Sequence, residues 1–174
     1  HVHMLPGLVP HGVLTNATVV VIDVLRATTT IVEALANGAV DVYPTSSAAD
    51  AAQLAASLGR EDTLLCGERK GVKVDGFDLG NSPAEFTAEV AEGKKLVMST
   101  TNGTRAFSSA SEACRVLVCA FTNLGAVAAA VGTNYSNSPV VVEIVDNETY
   151  LEIKYFRLSH TRALKESYRW NVWQ

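Results

Sequence analysis

Short apolar runs alternate along the chain with stretches in which apolar residues recur at helical spacing. Val19–Val24 is apolar throughout except for Asp23, which predicts a buried strand of a parallel sheet. Thr28–Asn37 then carries an apolar stripe at helical spacing, and Gly38 is well suited to end that helix. The pattern therefore begins with a strand, a polar turn and a helix.

The same alternation continues to about residue 145. Further strands are predicted over Val40–Tyr43, Thr63–Cys66, Lys95–Met98, Val116–Ala120 and Val140–Val145, and further helices over Ala48–Leu58, Ala84–Ala91, Arg105–Ala113 and Leu124–Val131. Strands that alternate with helices are typical of α/β proteins, so we predict a three-layer α/β/α fold with a mostly parallel sheet. Ligands of such proteins bind at the carboxyl ends of the strands.

Composition narrows the classes of partner. The 174 residues are 48% hydrophobic and 18% charged, and the net charge of -4 provides no positive surface for nucleic acid or anionic lipid. The three cysteines show no paired spacing, so we expect a cytoplasmic protein without a disulfide framework. No apolar run near the start is long enough for a membrane span. A homo-oligomer is left open, because the aromatic segment beyond Asn147 is suited to packing on a partner subunit.

The first candidate site is the polar turn after the first strand. Asp23 ends an apolar strand, where an ionised carboxylate needs an ion pair, hydrogen bonds or a metal. A pair with Arg26 or a helix cap is the structural interpretation, and a Mg²⁺ ligand or a nucleophile attacking phosphorus is the functional one. Thr28, Thr29 and Thr30 follow at a helix start, where hydroxyls and free amides either cap the helix or bind an oxyanion.

Two more polar loops follow predicted strands. Glu68 and Arg69 form either a surface ion pair or part of a site. Asn81 and Ser82 form either an ordinary turn with a helix cap or ligand contacts. The third loop repeats the hydroxyl-and-arginine chemistry of the first, with the candidates Thr100, Thr101, Asn102, Gly103, Thr104 and Arg105. Together the three loops indicate a small ligand with two anionic groups, and acids that hold a cation beside it.

Three segments carry a family resemblance: VVVIDVLRATTTIVEALANGA, CGERKGVKVDGFDLGNSP and STTNGTRAF. In this order and spacing they closely resemble the 2-phosphosulfolactate phosphatases, the ComB family. The resemblance covers roughly residues 19–131 and extends weakly back to residue 1. It implies a Mg²⁺-dependent α/β phosphatase that converts 2-phosphosulfolactate and water to 3-sulfolactate and phosphate in coenzyme M biosynthesis. That substrate carries a phosphate, a sulfonate and a carboxylate, in agreement with the two-anion ligand.

The leading hypothesis is therefore hydrolysis of a small phosphomonoester. Asp23 binds Mg²⁺ or attacks phosphorus, and Glu68 is a second metal ligand or a general base. Arg26 and Arg105 neutralise the charge that grows on the phosphoryl oxygens. The predicted substrate-binding residues are Thr28, Thr29, Thr30, Arg69, Asn81, Ser82, Thr100, Thr101, Asn102, Gly103 and Thr104.

The resemblance ends before the chain does. We predict a family-type α/β domain over residues 1–145 and a divergent segment over residues 146–174, which lacks the family's Gly-rich turn and Ser-Leu-Glu-Asp segment. Two alternatives stay open at this point. One is an anion-binding domain whose catalysis is impaired by the altered end, and the other is a phosphatase for another phosphorylated hydroxy acid.

Overall fold

The computed structural model describes residues 2–3, 9–10, 12–134 and 140–144, and strands alternate with helices through these ranges. The strands are β1 Val2–His3, β2 Thr18–Ile22, β3 Asp41–Pro44, β4 Thr63–Arg69, β5 Val72–Lys73, β6 Lys95–Ser99, β7 Arg115–Cys119 and β8 Val140–Ile144. The α-helices are α1 Ala27–Ala36, α2 Ala48–Leu58, α3 Ala88–Ala91, α4 Gly103–Ser109 and α5 Leu124–Asn134. The predicted segment over residues 146–174 lies outside the described residues.

The strands form two four-stranded sheets, ordered β1-β8-β2-β7 and β3-β6-β4-β5. Among the described strands, every strand pair is parallel except the antiparallel pair β4–β5. The prediction of a mostly parallel α/β protein is therefore confirmed. The sequence suggested one sheet where the structure has two, because the apolar pattern of a strand does not specify its neighbours.

The first sheet is covered by helices on both faces because side chains alternate along β2. Val19 and Val21 pack against Ala106 of α4 on one face. Val20 points to the other face and packs in a cluster that includes Val127 of α5. The inner strand of this sheet is thus buried on both sides, as its continuous apolar run predicted.

The second sheet is covered in the same way. Leu96 and Met98 of β6 pack against Ile31 of α1, whereas Val97 packs against Ala51 of α2 on the opposite face. Val118 of β7, in the first sheet, also packs on the cluster around α1. Because α1 contacts strands of both sheets, the turn before α1 lies where their carboxyl edges approach each other.

Three predicted elements differ from the structure. The helix predicted over Arg105–Ala113 begins two residues earlier, as α4, and is followed by a 3-10 turn, Ala110–Glu112. The helix predicted over Ala84–Ala91 is a 3-10 turn, Pro83–Glu85, followed by α3. Phe86 lies between the two pieces. Its backbone is not helical, and its side chain is fully buried. The strand predicted over Thr63–Cys66 extends to Arg69 and returns as β5 through a two-residue turn, in which Lys70 and Gly71 have φ values of 53° and 80°. Positive φ at both residues is typical of a tight hairpin turn.

Candidate functional site

The carboxyl end of β2 places Asp23 in the interior, where it is 2% exposed. Its backbone N–H donates to Thr28 Oγ1 at 2.8 Å, and Thr28 Oγ1 donates back to the Asp23 carbonyl at 2.7 Å. The Thr28 N–H donates to the same carbonyl at 3.1 Å. These bonds close the turn between β2 and α1, so the Asp23 backbone is fixed independently of its carboxylate.

The three threonines at the start of α1 hold the surrounding backbone. Thr29 Oγ1 donates to the Val24 carbonyl at 2.7 Å, and Thr30 Oγ1 donates to the Asn81 carbonyl at 3.2 Å. Thr28 and Thr30 are fully buried. The structure therefore gives these hydroxyls protein acceptors, and their contact with a substrate stays a prediction.

The loop after β6 forms a compact turn that begins α4. Thr104 N–H donates to Thr100 Oγ1 at 3.1 Å, and Thr104 Oγ1 donates to the Thr100 carbonyl at 2.8 Å. Both threonines are 2% exposed, and Asn102 lies at the N-cap position of the helix. As in the first loop, the threonine hydroxyls stabilise the turn from which the helix begins.

Gly103 is the point at which the first and third loops meet. A Cβ atom built on Gly103 would lie 2.4 Å from the Ala27 Cβ and 2.9 Å from the Asp23 Oδ2. Only a residue without a side chain permits α4 to begin this close to α1 and to the Asp23 carboxylate. The structure thus brings together strand ends that belong to two different sheets.

Replacing Gly103 by alanine is expected to lower kcat/KM about 100-fold, because the added methyl group displaces α4 from Asp23 and Ala27. The overpacked contact should also reduce the free energy of unfolding by about 1–3 kcal/mol. Steady-state kinetics and urea unfolding measure the two effects. Gly125→Ala is the matched control, since nothing lies within 4 Å of that position in α5. Equal activity of the two variants would contradict the close approach.

Glu68, at the end of β4, is 7% exposed and accepts three hydrogen bonds. Its Oε1 accepts from Thr101 N–H at 2.7 Å, while its Oε2 accepts from Gly71 N–H at 2.7 Å and from Thr101 Oγ1 at 3.0 Å. Burial alone raises the pKa of Glu68, but these bonds and the charge of Arg69 outweigh burial and hold the pKa below its usual value. The carboxylate thus joins the second loop to the third.

Arg69 makes a second connection between the same loops. Its guanidinium donates to the Ser99 carbonyl at 3.0 Å and to Ser99 Oγ at 2.7 Å. Ser99 Oγ donates in turn to the Thr45 carbonyl at 3.2 Å, at the end of β3. Thr45 was not among the predicted residues, and only its position after a strand marked it in the sequence. Arg69 therefore fixes strand ends, and its predicted contact with a substrate is untested.

Arg26 and Arg105 differ from Arg69 in having free donors. Arg26 is half-buried at the N-cap of α1, and Arg105 is exposed in the first turn of α4. No hydrogen bond or ion pair joins either guanidinium to another residue in the part of the chain that the structure describes. Two guanidinium groups beside the paired helix starts provide strong donors for an anion.

Asn81 and Ser82 lie in the loop that leads from β5 to the 3-10 turn. Ser82 N–H donates to Glu85 Oε1 at 3.3 Å, so this residue belongs to the helix start. Asn81 is 5% exposed, and its Oδ1 has no hydrogen-bond partner among the described residues. A buried acceptor without a donor is uncommon, which singles out Asn81 as a position for a ligand hydroxyl or a cation.

The carboxylates at the strand ends are the candidate ligands for Mg²⁺. No group of three or more His, Cys, Asp or Glu side chains suited to a metal occurs within the described ranges. Mg²⁺, however, is commonly bound by one or two carboxylates together with waters and substrate phosphate. Asp23 supplies one carboxylate at the end of β2. Glu68 is a weaker candidate, because both of its oxygens accept protein hydrogen bonds.

The fold and the candidate site together define the class: a mostly parallel α/β protein in which a buried acid and two arginine-bearing helix starts meet at the strand ends. None of its helices in the described ranges has the length and apolar character needed to cross a membrane. The sequence model of the family described as 2-phosphosulpholactate phosphatase matches residues 3–151. The chain belongs to this family.

Similar curated proteins carry the same description. A protein of Clostridium perfringens, named probable 2-phosphosulfolactate phosphatase, is 51% identical over 118 residues, or 66% of this chain and 47% of its own length. A Gloeobacter violaceus protein with that name is 52% identical over 125 residues, covering 71% and 51% of the two chains. A Prochlorococcus marinus protein, also so named, is 46% identical over 134 residues, covering 77% and 55%. The chain thus spans about half the length of these relatives.

Proposed function

We propose that the protein is a magnesium-dependent phosphatase that hydrolyses 2-phosphosulfolactate to 3-sulfolactate and phosphate, as in coenzyme M biosynthesis. Family membership supports the reaction class. The observation that carries the proposal is the approach of Gly103 to the Asp23 carboxylate, because it places a buried acid between two arginine-bearing helix starts. Such a site combines an oxygen ligand for a hard cation with donors for anionic oxygens.

Asp23 would hold Mg²⁺, which when bound supplies positive charge beside the phosphoryl oxygens. Arg26 and Arg105 bind and neutralise those oxygens as charge develops on them, and the first amides of α1 and α4 orient the group. Asn81 Oδ1 accepts a hydrogen bond from the ligand or faces the cation. Attack on phosphorus by Asp23 itself is the competing role for this carboxylate.

The direct test is phosphate release from 2-phosphosulfolactate by the full-length protein, with Mg²⁺, with excess EDTA, and after Mg²⁺ is restored. We expect turnover that EDTA abolishes and Mg²⁺ restores. 2-Phospholactate, which lacks only the sulfonate, is the matched substrate, and its kcat/KM should be at least about 10-fold lower because a charged contact is lost. Metal-independent turnover, or equal use of both substrates, would contradict the proposal.

The two alternative hypotheses predict different results. A phosphatase for another phosphorylated hydroxy acid would use 2-phospholactate or a related ester better than the sulfonate. An anion-binding domain would be stabilised against heat by 3-sulfolactate or inorganic phosphate without releasing phosphate from any ester. A cytoplasmic location and a homo-oligomeric state stay predictions.

A further inference from the structure

We propose that Glu68 is a positioning residue that acts through Thr101 to hold the start of α4 against Asp23, in place of the general-base or metal-ligand role suggested by its sequence. The inference rests on the proposed function for its kinetic consequences. Its structural part, the fixing of one loop by another, stands on the contacts alone.

The first argument is the occupancy of the Glu68 carboxylate. An ionised carboxylate offers about four lone-pair positions to donors. Three donors already occupy it, namely Gly71 N–H, Thr101 N–H and the Thr101 hydroxyl, at 2.7, 2.7 and 3.0 Å. A cation ligand or a base for water needs an oxygen whose lone pairs are not engaged by protein donors, and here both oxygens accept protein hydrogen bonds. The Glu68 carboxylate therefore bonds to protein groups rather than to a ligand.

The second argument is that the hairpin after β4 bonds to both the backbone and the side chain of Thr101. Its hydroxyl donates to Glu68 Oε2 and accepts from Lys70 N–H at 3.2 Å. The hairpin thus forms hydrogen bonds with both the backbone and the side chain of Thr101. An isolated surface contact would not engage both groups of the same threonine.

The third argument is where Thr101 stands in the chain. Two residues later Gly103 begins α4 in contact with Ala27 and the Asp23 carboxylate. A shift of the Thr101 backbone therefore moves the helix start, and with it the exposed Arg105 of the first turn. Arg69 fixes Ser99 on the other side of the loop, so the loop is tied at two points.

The experiment compares Glu68→Gln with Glu68→Ala. Glutamine keeps the shape, and its amide oxygen can accept from Gly71 and the Thr101 hydroxyl. Its NH2 group then faces the Thr101 N–H, so the third bond is lost. We expect kcat/KM to fall about 3–10-fold in Glu68→Gln and about 100-fold in Glu68→Ala. The pH dependence of kcat and the Mg²⁺ concentration for half-maximal rate should stay unchanged in both variants. Glu112→Gln, in an exposed position on a 3-10 turn away from the loops, is the control.

A base or a metal ligand predicts other results. Loss of a general base would lower kcat about 100- to 10,000-fold in both variants and remove the acidic limb of the pH profile. Loss of a ligand would raise the Mg²⁺ requirement in both. Either outcome would overturn the positioning role.

Amide hydrogen exchange separates this inference from the proposed function. Faster exchange at residues 101–104 in Glu68→Ala, largely restored in Glu68→Gln, is expected whether or not the wild-type protein releases phosphate. Unchanged exchange in Glu68→Ala would overturn the inference even if the phosphatase activity is found. Absence of wild-type turnover with altered exchange would reject the proposed function alone.

Discussion

Replacing Gly67 by alanine is expected to lower the free energy of unfolding by more than about 3 kcal/mol, among the larger effects of a single substitution. A Cβ atom at Gly67 would lie 2.0 Å from the Ser99 carbonyl oxygen and 2.8 Å from its carbon. Both atoms belong to the backbone of β6, which pairs with β4 at this position. The φ of 147° adds strain for any residue with a side chain, so the strands must separate.

Gly76→Ala is the matched control for this prediction. Gly76 also has positive φ, 79°, but nothing lies within 4 Å of its added Cβ. It should lose only about 1–2 kcal/mol, the cost of left-handed backbone. Urea unfolding followed by circular dichroism gives both values, and the solubility of each variant reports failure to fold. Similar losses in the two variants would show that β4 and β6 do not approach as closely as described.

The close approach of β4 and β6 also positions residues of the candidate site. Gly67 precedes Glu68 and Arg69, and Arg69 reaches Ser99 because the two strands are so near. A displaced β4 would break both connections between the second and third loops. Loss of activity is therefore expected together with loss of stability in Gly67→Ala.

Elements fixed by local chemistry could be predicted from the sequence. The helix Ala48–Leu58 has the predicted bounds, with Ser47 accepting from Asp50 N–H at its start and Gly59 at φ 92° at its end. Apolar periodicity and end signals act within a few residues, so they can be read without tertiary information. The β2 strand and α1 agree with their predictions to within two residues for the same reason.

Arrangements that depend on distant contacts could not be predicted in this way. The short β1 strand becomes a strand only by pairing with β8, more than a hundred residues later. The division into two sheets depends on which strands meet, and every inner strand carries a similar apolar run. Lys70 and Gly71 form a tight hairpin turn inside a polar segment, and the absence of an apolar run there is typical of a loop.

The same distinction between local and distant contacts applies to the candidate site. The first and third loops follow strands as predicted, since an acid or a hydroxyl cluster after an apolar run is visible in the sequence. Glu68 and Arg69, predicted to follow a strand, are the last two residues of β4. The orientation of each side chain was not visible. Thr28 and Thr104 could equally have faced a ligand, and the structure shows their hydroxyls bonded to backbone. Two of the three donors to Glu68 belong to Thr101, 33 residues away along the chain and beyond the reach of any local pattern.

Replacing Asp23 by asparagine is expected to lower kcat about 1,000-fold while the fold is retained. Asparagine has the same shape, and the backbone bonds to Thr28 that fix the turn do not involve the carboxylate. The carboxylate is 2% exposed, so its charge acts on the site with little screening by water. Loss of the metal's contribution costs several kcal/mol of transition-state stabilisation, and each 1.36 kcal/mol is tenfold in rate.

A Mg²⁺ titration of the Asp23→Asn variant decides between the two roles of this carboxylate. If Asp23 is a metal ligand, the variant should need more Mg²⁺ and recover part of its rate at high concentration, since an amide oxygen is a weaker ligand for a hard cation. If Asp23 attacks phosphorus, no concentration of Mg²⁺ restores turnover, because the amide cannot replace the nucleophile. Asp75→Asn, in an exposed turn, controls for the loss of one negative charge. Wild-type kcat in Asp23→Asn would remove Asp23 from the reaction and contradict both roles proposed for its carboxylate.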